Sequence, residues 1–191
     1  QILDKQVANR AAYISGQLIE AQDLSGLDSA VNRAAVQLVQ EGETVASLTS
    51  SNEKSAPLFD AVSDQMVRML REKNVTGVYI VLHTGELSRT AGGSLPCLYL
   101  RDLDPSAPAS ATNDDLLLEH APAAVMRRMS ISTSENWEPG IPVTGGAQDD
   151  FFRLPYDRAR EDGGIQNAAD YGRWSTESYT LAGDSRPVIS Y

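Results

Sequence analysis

Apolar residues recur at three- and four-residue spacing through the start of this chain: Ile2, Leu3, Val7, Ala11, Ile14 and Leu18, then Leu27, Val31, Ala34 and Leu38. This is the stripe of an amphipathic helix, and nothing with a two-residue period competes with it there. The run DLSGLDS at 23–29 interrupts the stripe, so the region reads as one kinked helix or a helix pair. A helix over residues 1–22 would be about 33 Å long at 1.5 Å per residue, which makes it a rod of low contact order. The first residues already read as mid-helix, and the chain is expected to be an excised soluble piece of something longer.

A second helix is expected over SAPLFDAVSDQMVRMLREKN, with Ser55 as its cap, Pro57 in its first turn, and Val62, Met66 and Met69 or Leu70 on its buried face. Arg71 and Lys73 complement the negative end of its dipole. The pattern then changes. GVYIVLHTG, residues 77–85, is β-branched and aromatic between glycines and predicts a strand; PCLYLRDLDP, 96–105, predicts a second. PSAPASATNDD, 105–115, reads as an exposed loop and APAAVMRRM as a short helix with Pro122 near its start. SENWEPGIPVTGGAQDD is turn-rich, FFRLPY predicts a third strand held short or at an edge by Pro155, and NAADYGRWSTESYTL with RPVISY supplies the last strand material. Helices first and a meander of short strands afterwards make an α+β fold, with helices layered on an antiparallel sheet.

At 191 residues the chain suits one domain with a real core, or one domain plus a helical extension, rather than two full domains. A net charge of −10 would repel a phosphate backbone, so nucleic acid is not an expected partner, and the same sign disfavours anionic lipid. No apolar run approaches a membrane span. Cys97 is the single cysteine, read as a small buried hydrophobe, so neither an internal disulfide nor a thiolate metal site is available.

Catalytic signatures are lacking. His83 and His120 have no partner at ligand spacing and read as polar residues at element ends. No GxSxG elbow accompanies the serines, and the pairs Gly92-Gly93, Gly145-Gly146 and Gly163-Gly164 lack the lysine of a phosphate-binding loop. Asp149-Asp150 and Glu161-Asp162 read as solvated charge, and the Asn74-Val75-Thr76 acceptor pattern for glycosylation carries little weight. A carboxylate pair on a hydrolytic α+β scaffold stays open among 26 acidic residues. What stands out is aromatic: Trp137, Phe151, Phe152, Tyr156, Tyr171, Trp174 and Tyr179, interleaved with Arg153, Arg173, Asp170 and Asp184. Each ring alone reads as core; as a cluster they read equally as a pocket wall.

Several strings resemble the extracytoplasmic, PAS-like Cache sensor domains of bacterial membrane receptors, such as histidine kinases, diguanylate cyclases and chemoreceptors. They are TGVYIVL, LYLRDLDP, LLLEHAPAAVMRRMSISTSENWEP, FFRLPYDRA and DYGRWSTESYTLAGDSRPVISY, and they cover most of the chain. In the last string Gly172, Trp174, Ser175, Tyr179, Asp184, Val188, Ile189, Ser190 and Tyr191 occupy the family pattern, with Ser190 and Tyr191 in exchanged or shifted order. Arg173 precedes Trp174, at a spacing that differs from the signature of amino-acid-binding members.

The resemblance implies an N-terminal helical stalk over residues 1–50, packed on the sensor domain, and a PAS-like ligand-sensing domain over 51–191, incomplete at its C-terminal end. It also implies an unknown small-molecule ligand, no cofactor or metal, no catalysis, and a homodimer through the N-terminal helix. Segments outside the chain would anchor it at the outer face of the cell membrane. Tyr156, Tyr171, Arg173, Trp174, Tyr179 and Asp184 are the candidate ligand-binding residues. A ligand-free structural or dimerisation module of the same fold is the alternative, and a hydrolytic enzyme a further one.

Overall fold

The computed structural model describes residues 2–83, 93–108, 110–161, 171–175, 177–180 and 185–191, with side chains described for all of these except 2–4, 17 and 19. The elements run α1 (Ile2–Gln22), α2 (Ser25–Gln40), α3 (Val45–Leu48), α4 (Asn52–Lys73), β1 (Gly77–Val81), β2 (Ser94–Asp102), β3 (Leu116–His120), α5 (Ala123–Met129), β4 (Ser132–Glu138), β5 (Gly140–Pro142), α6 (Asp150–Glu161), β6 (Tyr179–Thr180) and β7 (Pro187–Val188). The fold is α+β, with the long helical region ahead of the sheet.

The interrupted stripe becomes two helices. Asp23 accepts bonds from the Ser25 amide and hydroxyl between them, at 3.1 and 2.6 Å. α2 belongs to the core: Leu27 is buried, and Val31 and Ala34 pack beside it. Along α1, by contrast, Val7, Tyr13, Ile14 and Leu18 are all exposed. Of the first fifty residues, α2 packs on the sheet domain while the described side chains of α1 up to Glu20 are exposed.

α4 starts earlier than its sequence suggested. Ser51, not Ser55, is the cap, accepting from the Lys54 amide at 3.2 Å. Ser55 lies inside the helix, its hydroxyl turned back to the Ser51 and Asn52 carbonyls. Pro57 accordingly sits beyond the first turn. Asn74 closes the helix in the left-handed conformation, at φ 50°.

β2 organises the sheet. Along one edge it pairs antiparallel with β1; along the other, its second half pairs with β3 and its first half with β5. Leu98 and Leu100 point to one face, where Phe59, Val62, Met66 and Leu70 of α4 and Val125 of α5 complete the main core. Cys97 and Tyr99 point to the other, which Phe152 and Phe151 of α6 cover together with Ile141. This is the two-residue alternation of a strand packed on both faces.

The segment FFRLPY is not a strand. It forms the first half of α6, with Asp150 favouring the positive end of the helix and Arg158 and Arg160 the negative end. Pro155 lies inside this helix and removes the amide that would bond the Phe151 carbonyl one turn back. The Tyr79 hydroxyl supplies the missing donor, 3.2 Å from that oxygen. The turn-rich stretch after α5 holds β4 and β5. β4 runs parallel to β3 across the short α5 crossover, so the sheet is mixed rather than wholly antiparallel. No described helix is long and apolar enough to cross a membrane.

Candidate functional site

β3 and β5 share one edge of β2 but do not meet. β5 pairs with Ser94–Pro96 and β3 with Tyr99–Asp102, so Cys97 and Leu98 lie unpaired between them. At the same place β3 carries a bulge. Leu118 lies opposite Leu100 and His120 opposite Tyr99, so Glu119 is the extra residue. A bulge re-aims the side chains that follow it. Here it brings His120 onto the Tyr99 face, where the two rings stack with centroids 6.3 Å apart and 28° between planes.

A cleft of about 360 Å³ opens at this break. Glu119 and His120 of β3, Asn136 and Glu138 of β4, and Ile141 and Pro142 of β5 form one side; Tyr99 lies at its base, and Thr144, Gln148, Asp149, Phe151 and Phe152 close the other. The rings lock edge to face: Tyr79 on Phe151 at 4.9 Å, Tyr79 on Tyr99 at 5.9 Å and Phe151 on Phe152 at 5.0 Å. Burial pushes the Tyr99 hydroxyl far above the ordinary phenol range, so it is neutral.

Two of the lining carboxylates are matched within the protein. Glu119 pairs with buried Arg101 at 3.1 Å. Asp149, only 1% exposed, ends the short 3-10 turn just before α6: its carboxylate accepts the Thr144 amide and hydroxyl at 3.1 and 2.6 Å and the Gly145 amide at 2.8 Å. Burial alone would raise its pKa, but those bonds, with Arg153 nearby, hold it below the usual carboxylate value. The reading of Asp149 as solvated surface charge is therefore overturned; it folds the TGG loop around itself. Burial lowers the basicity of His120 against the pull of the Glu138 and Gly140 backbone and the Glu119 and Glu138 charges. Its Nδ1 is buried without a hydrogen-bond partner among the described residues.

The residues singled out from sequence lie elsewhere. Tyr156 stacks on His83 at 5.0 Å. Trp174 packs at 5.1 Å against Tyr191, and the close approach of Tyr191 to Gly172 leaves no space for a side chain there. Tyr171 is half-buried, Arg173 is exposed and donates to the neighbouring Gly172 carbonyl at 2.7 Å, and Tyr179 is exposed. None of these five lines the cleft. Asp184, with Asp170 and the Gly163-Gly164 pair, lies outside the described residues. Phe151 and Phe152 belonged to the aromatic cluster and do line the cleft. Glu119 and His120 carried no sequence signal, because the bulge that turns His120 inward is a property of strand pairing. Cys97 is buried as expected, and burial pushes its thiol pKa far up, which leaves it inert. Among the described residues no group of three or more histidine, cysteine or carboxylate side chains is arranged to hold a metal ion.

No family model, curated protein or solved structure matches this chain. The class that fold and site define is an α+β domain with a polar-rimmed aromatic cleft at a break in its sheet, preceded by a helix with an uncovered apolar stripe.

Proposed function

We propose that this chain is a small-molecule sensing module, carried on the outer face of a bacterial membrane by a Cache-type receptor, with no catalysis of its own. The observation that carries the reading is the cleft: rings at its base, a few placed polar groups at its rim, and a volume in the range of metabolite sites. Its lining groups suit binding better than turnover. Among the described residues, Thr144 offers the only lining hydroxyl besides Tyr99, and that hydroxyl is committed to Asp149. The exposed stripe Val7, Ile14 and Leu18 on α1 supports dimerisation through that helix. Ligand binding would then act through its differential affinity for two packings of the helix pair.

A thermal-shift screen against a metabolite library tests this. A hit is expected to raise the melting temperature, to lose that effect in Phe151→Ala, and to keep it in Trp174→Ala. A hit that survives Phe151→Ala places binding outside the cleft. Sedimentation should show a dimer that becomes monomeric in the Val7→Glu, Ile14→Glu double variant while the cleft still binds; a wild-type monomer at all accessible concentrations would remove the helix-pair mechanism.

The ligand-free module remains a second reading, favoured by the way Trp174 and Tyr156 stack on their neighbours instead of walling a cavity. A screen that yields nothing would select it.

A further inference from the structure

We infer that the cleft takes a small organic ammonium ion, a compact cation carrying no carboxylate of its own. This rests on the ligand-sensing reading and specifies its chemistry.

The sign of the site comes from which charges are already matched. Glu119 is paired with Arg101, and Asp149 is ringed by donors from Thr144 and Gly145. Glu138 is different: it stands exposed at the mouth and has no ion-pair partner among the described residues. No lysine or arginine is among the described residues that line the cleft. A carboxylate ligand would therefore meet the repulsion of Glu138 with no lining cation against it, Arg101 being held by Glu119 and Arg153 standing near Asp149, whereas an ammonium ion would meet an unpaired anion. Phe151 and Tyr99 line the same cleft, and a cation beside an aromatic ring gains further attraction. His120 does not compete as an internal cation, since burial keeps its ring neutral near pH 7. The net charge of −10 adds a long-range field that draws cations in, though by itself it is indifferent to where they settle.

The experiment uses tetramethylammonium and ethylammonium chlorides as probes, with sodium acetate, glycine and a neutral alcohol as comparisons, all at one ionic strength. Calorimetry and melting temperature are read on the full chain. Both ammonium probes are expected to bind saturably, acetate and glycine at least tenfold more weakly. Glu138→Gln should weaken the ammonium probes about tenfold, and Phe151→Leu about threefold for tetramethylammonium. Glu20→Gln, which removes the same charge from exposed α1, should leave them unchanged. Equal losses in Glu138→Gln and Glu20→Gln would reduce the effect to bulk charge and overturn the inference, as would unchanged affinity in Glu138→Gln. Failure has two distinguishable forms. If acetate or the alcohol binds in a Phe151-dependent way and the cations do not, the ammonium inference falls and the sensing reading stands. If no probe and no library compound binds, both fall.

Discussion

Arg71→Met is expected to lower the unfolding free energy by about 3 kcal/mol, read from the urea midpoint at neutral pH. Arg71 ends α4 and clamps three residues at once: Asp102 of β2 at 3.1 Å, Asp115 through two bonds at 2.7 and 2.6 Å, and the Asn113 side chain at 3.1 Å. Asp102 has a side chain only 4% exposed, so removing the guanidinium strands a carboxylate away from water. The cost lies in that stranded charge more than in the lost attraction. It follows that Arg71→Met combined with Asp102→Asn should be more stable than Arg71→Met alone; if the double variant is worse, stranded charge is not the cause.

The same cluster sets an acid response. The Asp115 pKa is held at about 2, chiefly by the bonds from Arg71, against an ordinary 3.8. A carboxylate depressed on folding contributes stability that is complete above its unfolded value and is lost as pH falls toward its folded one. The window is therefore about pH 4 down to 2. Asp102 runs the other way: burial raises its pKa despite the Asp104 amide and Arg71, so protonating it returns part of the loss. Wild type should lose urea resistance between pH 4 and 2 more steeply than Arg71→Met, and parallel pH profiles would show that Asp115 draws nothing from the arginine.

Legibility from sequence followed the range of the interactions involved. α2, α4, β1, β2 and α5 could be read because each buries a face whose period lies within its own residues, and α1 because it carries the same periodic stripe although that stripe is exposed. β4 and β5 could not: SENWEPGIPV carries glycine and proline because β4 breaks its register against β3 and Gly140 passes close to β2, where a Cβ would strike the Leu95 carbonyl. The candidate site shows the same division. The aromatic cluster was visible, and Phe151 and Phe152 came from it. Which rings face a cavity and which stack on neighbours depends on α6 and the β3 bulge, set by contacts across the sheet. The Thr-Gly-Gly to Asp149 spacing was the one local signal of a closed loop, and it was read as charge because two adjacent aspartates look alike in sequence while only one is buried.

Tyr79→Phe and Pro155→Ala should not be additive. The Tyr79 hydroxyl lies 3.2 Å from the Phe151 carbonyl that Pro155 leaves without its helical donor, and 3.3 Å from the Tyr191 carbonyl. Tyr79→Phe alone leaves a partly buried carbonyl unsatisfied and should cost about 2 kcal/mol. Alanine at 155 restores an amide in register with the Phe151 oxygen, so in that background the loss of the hydroxyl should cost under about 1 kcal/mol. The difference is the coupling energy of a double-mutant cycle, measured by urea unfolding of the four proteins. A cycle that closes with no coupling would mean that the tyrosine supports α6 through its ring contacts with Phe151 and Tyr99 alone. Coupling of the expected sign would assign Tyr79 a second consequence: one hydroxyl reaches both the helix that walls the cleft and the carbonyl of Tyr191, whose ring packs on Trp174. A guest that shifts Phe151 would then disturb the packing of Tyr191 on Trp174 through a single shared proton donor.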